Sequence, residues 1–240
     1  MALSPTIMSE TVLNAEDQAS LWKGRSYLYG ILATILNRPD ETDWIQGLFD
    51  PLGVIIHELE LSGSVQALML ELSQFFKTAS SEQVSEWCRE ARREYDRLFL
   101  VPIRDQMVSL GASEYLKDEE IMGDRRLKWE DWYMRFGFEW REFFADSVGV
   151  WPNEPEHVAL VLPMLSIMAD EVSLSTLERD EFSNDLQAVY HDMLKLANDW
   201  LPNCFQAISQ ASAHPLYTAF SAVGKDFFEL DFQHTMRGNL

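Results

Sequence analysis

From Ala15 to about Leu36 the apolar residues Leu21, Trp22, Tyr27, Leu28, Ile31, Leu32 and Ile35 recur at steps of three and four, and Asn37-Arg38-Pro39-Asp40 ends the pattern. That period places side chains on one face of a helix, and the proline supplies a stop. The same period runs down the rest of the chain. Short helices are expected over 41–49 and 51–60, and Val65 to Phe76 presents Leu68, Leu72, Phe75 and Phe76 on one side. Ser81 to Leu100 opens on Ser80-Ser81-Glu82-Gln83, where Ser80 or Ser81 can cap the first turn, and carries Trp87, Cys88, Ala91, Tyr95, Leu98 and Phe99 as a stripe.

Residues 101–126 hold a proline, two glycines and mixed charge, and are expected to form the longest irregular section. Trp129 to Val148 returns to helix, with Trp132, Tyr133, Phe136, Trp140, Phe143 and Phe144 as an aromatic stripe that reads as core. A further helix is expected over about 154–174. Asn153 would be its N-cap, Pro155 would suit its first turn, and Glu154 and Glu156 would meet the positive end of its dipole. Val158 to Ala169 has almost no polar face, as in a helix enclosed by others, and Pro163 within it should kink it. Two more helices, about 178–200 and 215–231, are separated by "LPNCFQAISQ". Sustained Val/Ile/Thr alternation is absent, as is any internal repeat. The fold class is therefore all-α: one helical bundle over 15–235, with a loose arm at 1–14 and a short tail at 236–240.

Composition narrows the function. The 240 residues, 47% hydrophobic and with eight Trp and fourteen Phe, can bury one sizeable core without disulfide or metal staples. Nineteen Lys and Arg against 39 Asp and Glu leave a formal charge of −20, which repels phosphate backbones and anionic lipid. Nucleic-acid binding and membrane insertion are not expected. The acidity suits a basic partner such as an Arg-bearing peptide, and equally suits plain solubility. Cys88 and Cys204 form no CxxC pair and no Cys/His cluster, so they read as buried thiols of a reducing compartment. The first residues carry neither a basic start nor a continuous apolar stretch, and no uncharged apolar run approaches the roughly 18–20 residues that span a bilayer. A cytoplasmic protein is the expectation.

Chemistry concentrates in Asn153-Glu154-Pro155-Glu156-His157. Glu154-x-x-His157 has di-iron spacing, but such bundles need a second copy, and His57, His191, His214 and His234 lack the partner Glu. No other His, Cys and carboxylate group offers a zinc site, so neither a metal nor another cofactor is expected. His157 beside Glu156 could handle protons, yet no nucleophile elbow, phosphate loop or dinucleotide fingerprint gives the pair a reaction. Three readings remain open on residue chemistry. The stretch caps a helix, with His157 bonding a neighbouring backbone group; it is a metal or acid/base centre on Glu154 and His157; or it is the lip of a groove for an Arg-plus-apolar peptide. Arg92-Arg93 and Arg125-Arg126 are internal pairs, expected to make surface salt bridges.

"EYDRLFLVP" at 94–102, "SEYL" at 113–116 and "NEPEHVALVLPMLSIMA" at 153–169 together resemble the TorD/DmsD/NarJ family of redox-enzyme maturation chaperones, over roughly residues 15–235. The resemblance implies a TorD-like all-α fold and a non-enzymatic cytosolic chaperone. Such a protein binds the catalytic subunit of a molybdopterin oxidoreductase, its twin-arginine leader, or both, and assists cofactor insertion before export. It implies client contact at Glu154, Pro155, Glu156 and His157, with Tyr95, Leu98 and Phe99 on the facing helix and Ser113 and Tyr115 in the loop. The chain departs from the family pattern in having Glu156 where Asp is frequent before the His, and in Pro163. A monomer or homodimer is expected, and changing Glu156 and His157 to Ala should weaken client binding while leaving the fold nearly intact. A generic acidic adaptor would instead bind basic partners with steep salt dependence.

Overall fold

The computed structural model describes residues 14–36, 62–100, 107–116, 119–141, 154–180 and 182–237, without the side chains of 119–122. The short helices expected at 41–49 and 51–60, Asn153, Phe143, Phe144 and most of the two termini lie outside the described residues. Eight α-helices and no strand occur among the described residues: α1 Ala15–Ile35, α2 Gly63–Thr78, α3 Ser81–Tyr95, α4 Glu119–Arg135, α5 Val158–Glu178, α6 Ser183–Asn198, α7 Leu201–Ala211 and α8 Pro215–Met236.

α5 is the hub. Its residues 158–162, 164, 165, 168 and 169 are buried, which accounts for its nearly all-round apolar sequence. α1 runs antiparallel along it. Ser173 donates its hydroxyl to the Ala19 carbonyl and Ser166 to the Ser26 carbonyl, both at 2.8 Å. Each pair is one heptad from the other, so a repeating rung of small hydroxyl residues lets the two backbones approach. Gly30 sits at the same seam, where a Cβ would come within 3.2 Å of Ser166 Oγ. α6 packs on α5, and α8 packs on α1, α2, α6 and α7. By length and composition α5 could cross a membrane, but 67% of its most apolar window is buried within the protein.

A buried ionic cluster ties the first helix to the last. Arg25 Nε donates to Asp231 at 2.5 Å, and the hydroxyls of Tyr29 and Tyr190 donate to the other carboxylate oxygen at 2.8 and 2.6 Å. Trp22 covers the guanidinium, 4.5 Å from its ring centroid.

Several boundaries differ from the sequence expectation. α4 begins ten residues before Trp129, so the irregular section is shorter than 101–126, and it ends at Arg135 where Gly137 takes φ 67°. α5 begins at Val158, after the acidic residues, with His157 as its N-cap. Glu154, Pro155 and Glu156 therefore precede the helix, whose first turn carries no acidic residue. Helical assignment continues through Pro163, which lies half-buried inside α5. The segment read as a linker, 201–210, is α7, with Pro202 in its first turn and Leu201, Cys204, Phe205 and Ile208 buried at helical spacing. Cys88 and Cys204 are buried free thiols, as expected. Ser80 and Gln83 make a full capping box for α3.

Candidate functional site

The three stretches that stood out in the sequence meet along one short strap. α3 runs into a π-helical segment, Asp96–Leu100, which places Leu98 and Phe99 inward with Tyr95. The Leu98 carbonyl accepts the N–H of Val108 at 2.8 Å. Two residues later the Leu110 carbonyl accepts from Val158, and the Ala112 N–H donates to the Glu156 carbonyl, at 2.8 and 2.9 Å. Gly111 and His157 thus pair as an isolated antiparallel bridge. Residues 107–116 stitch the end of "EYDRLF" to "EPEH" through the backbone.

Gly111 gives the Glu154 carboxylate its place there. Its position lies under the Glu154 carboxylate so closely that a Cβ would sit 1.5 Å from Glu154 Oε1. Ser113 faces the same carboxylate, but Oε1 is buried without a hydrogen-bond partner among the described residues. Burial, with Glu156 and Glu114 adding to it, raises the Glu154 pKa. Hydrogen bonds from the Ser113 hydroxyl and backbone oppose that rise, and an approaching cation would oppose it further. Tyr115 donates to the Ser109 carbonyl at 2.9 Å and stacks on Trp200, with centroids 6.3 Å apart.

Beneath the strap lies a second ionic cluster. Arg125 is only 4% exposed, and its Nε and Nη2 reach the two Glu156 oxygens at 3.2 and 2.8 Å. Nη1 binds Asp199, and Nη2 also donates to the Leu196 carbonyl at the end of α6. The Tyr133 hydroxyl donates to the Pro155 carbonyl at 2.8 Å. Contrary to the surface salt bridge expected of it, Arg125 is the buried counter-ion of Glu156, joining α4, the turn before α5 and the end of α6. Arg126, beside it, does make a surface bridge, to Glu130 at 3.1 Å.

His157 is fully buried and accepts the Ala159 N–H on Nδ1 at 3.2 Å. Nε2 therefore carries the proton, and burial pulls the pKa down to about 3. The backbone-bonding role considered for this imidazole is the one it plays, and its unprotonated nitrogen is spent on the cap. No group of three His, Cys, Asp or Glu among the described residues could hold a metal ion.

Among the nine residues named from the resemblance, Pro155, Glu156, His157, Tyr95, Leu98 and Phe99 are buried, while Ser113 is exposed and Glu154 and Tyr115 are half-buried. The first six form the bed and the last three the surface. The expectation that Glu156 and His157 can be truncated without harm to the fold is corrected accordingly. Removing Glu156 strands a buried guanidinium, and removing His157 uncaps the central helix. Arg125, Gly111 and Tyr133 were not picked out. Arg125 stood out only as half of the Arg125-Arg126 pair in the section expected to be irregular, with nothing to mark it as buried, whereas Gly111, two residues before "SEYL", is a turn-type residue that could have been noticed.

Fold and site define an all-helical protein whose special feature is a bonded strap around a buried, histidine-capped hub helix. The family comparison supplies the particular: the model described as nitrate reductase delta subunit matches residues 58–206, more than half of the chain, and the chain belongs to that family. The family consists of molybdoenzyme maturation chaperones that act with nitrate reductase-type catalytic subunits. No curated protein matches the chain, and no solved structure does.

Proposed function

We propose that this chain is a dedicated, non-enzymatic chaperone that holds the catalytic subunit of a molybdopterin oxidoreductase in the cytoplasm during cofactor insertion and before export. The observation that carries the reading is the strap, which gathers all three family-like segments and leaves Ser113, Tyr115 and Glu154 at the surface above a buried bed. The contact is a cation of the client, an arginine of its twin-arginine leader or of its mature body, against the Glu154 carboxylate, with Tyr115 and Ser113 beside it. The unpartnered Oε1 supports this role, because a guanidinium supplies a positive charge and the hydrogen bond that Ser113 does not give this oxygen.

Calorimetric titration of the purified chain with its client subunit, and separately with the leader peptide alone, tests the proposal. Glu154→Gln should weaken binding by roughly tenfold to a hundredfold, as expected when a charge-assisted contact is lost, with the melting curve unchanged. Equal affinity of wild type and variant for both ligands would remove Glu154 from the client site.

A further inference from the structure

We infer that the cleft at the C-terminal end of α4 is a second docking surface, and that its occupant is a basic amphipathic helix of the partner polypeptide. The inference takes from the chaperone reading only that the partner is a polypeptide.

The cleft is built from contiguous sequence. α4 ends in a Schellman turn: the Gly137 N–H donates to the Met134 carbonyl at 3.2 Å and the Phe138 N–H to the Tyr133 carbonyl at 2.7 Å. Gly137 takes the left-handed conformation that this turn needs, φ 67°, and the rings of Phe138 and Tyr133 close it at 5.2 Å. The chain then folds back, and Arg141 lies over the Trp140 ring at 4.8 Å while its Nη2 reaches Glu130 at 3.5 Å. Between the returning segment and the outer face of α4 lies an open cleft of about 460 Å³.

Its walls are apolar in places where solvent would favour polar side chains. Met134 is 75% exposed and Leu127 64%, one heptad apart on α4. Seven helical residues span about 10.5 Å, two turns, so a partner helix laid along α4 could meet both with two of its own apolar residues. The rim decides the charge of that helix. Glu130 is shared between Arg126 and Arg141, but Asp131 and Glu139 are exposed and have no ion pair among the described residues. These two carboxylates beside an apolar wall, without an ion pair among the described residues and on a chain of net charge −20, complement lysine and arginine on the flanks of the incoming apolar face. The cleft is tied to the strap, because Tyr133 both lines it and bonds the Pro155 carbonyl.

The test uses the full chain labelled with ¹³C at its methionine methyl groups and a synthetic peptide with leucine on one helical face and lysine and arginine on the other. The Met134 resonance, assigned by its disappearance in Met134→Leu, should shift on titration. Asp131→Lys with Glu139→Lys should weaken the peptide by roughly tenfold, and Leu127→Asp should abolish the shift. All three sites are exposed, so circular-dichroism melts should coincide with wild type. An unmoved Met134 signal overturns the inference, as does an affinity indifferent to the charge reversals. A Met134 shift that grows with protein concentration in the absence of peptide overturns it too, because a second copy is then the occupant. Failure here leaves the Glu154 titration untouched, whereas loss of client binding in Glu154→Gln leaves the peptide shift at Met134 intact, so the two readings fail separately.

Discussion

His157 and His214 do the same local work at the starts of α5 and α8. Each lends Nδ1 to the backbone N–H two residues on, at 3.2 Å in both cases. Their surroundings are unlike. His157 is wholly buried, and burial alone draws its pKa down to about 3. His214 packs against Trp87 with ring centroids 4.6 Å apart; burial lowers its pKa too, but a hydrogen bond to the Trp87 backbone and the charges of Glu90 and Glu94 oppose the fall. The geometry of a cap is local, while its titration is set by what the tertiary structure brings alongside. The α5 cap sits over a buried ion cluster, and the α8 cap over a half-exposed one.

The largest effect should come from breaking the cluster beside His157. Glu156→Ala leaves Arg125 buried with the Leu196 carbonyl and, as counter-ion, only the partly exposed Asp199, and should cost about 3–5 kcal/mol in urea denaturation. No single change near His214 should match it.

Acidification comes next. The folded protein keeps His157 neutral down to about pH 3, while the unfolded chain takes up its proton near 6.5. Stability from this group is therefore whole above pH 6.5 and is lost as pH falls, at about 1.4 kcal/mol per pH unit and roughly 2 kcal/mol by pH 5. His157→Asn keeps an N-cap acceptor and should flatten that limb, whereas His214→Asn should change the slope much less.

The far ends of the same two helices sharpen the contrast. α5 closes on Arg179 at φ 54°, and α8 on Arg237 at φ −81°. Arg179→Gly relieves a left-handed residue with a side chain and should raise stability by about 1 kcal/mol, while Arg237→Gly should bring no gain. Thermal denaturation of the two variants makes the comparison.

The smallest effect concerns Glu94, which binds Arg97, the Ser212 hydroxyl and the Ala213 N–H, and so is held down to about 2. Its share of stability is present above the ordinary carboxyl value of 4.5 and is lost as pH falls towards 2. Glu94→Gln should remove that share above pH 4.5, a loss of about a few tenths of a kcal/mol for a solvent-screened pair, and flatten the acid limb. It should also lower the pKa of His214, followed by NMR, without moving that of His157.

Much of the bundle was legible because helical period is a property of neighbouring residues. Trp22, Leu28, Ile31, Leu32 and Ile35 face the core as their spacing requires, yet Leu21 and Tyr27 from the same stripe are 48% and 57% exposed. The stripe is wider than the seam with α5. α7 falls in the stretch expected only to separate two helices, although Leu201, Cys204, Phe205 and Ile208 keep the helical step and Pro202 stands in its first turn. The start of α5 was misplaced too: Asn153 and Pro155 are good helix-start residues, but Ala112 takes the Glu156 carbonyl and leaves the cap to His157.

Period and composition, in the sequence itself, determined an acidic, all-helical chain with a buried apolar segment behind "EPEH", and local motifs pointed to its family. Only the tertiary structure decided which of those residues lie at the surface. Glu156 is buried because Arg125, 31 positions earlier, and the end of α6 close over it. Glu154 is half-buried, with its carboxylate packed over Gly111, where a Cβ would stand in its way. Helical period is written in residues three and four apart, but the partner that makes a buried charge tolerable comes from a distant segment that meets it only when the chain has folded.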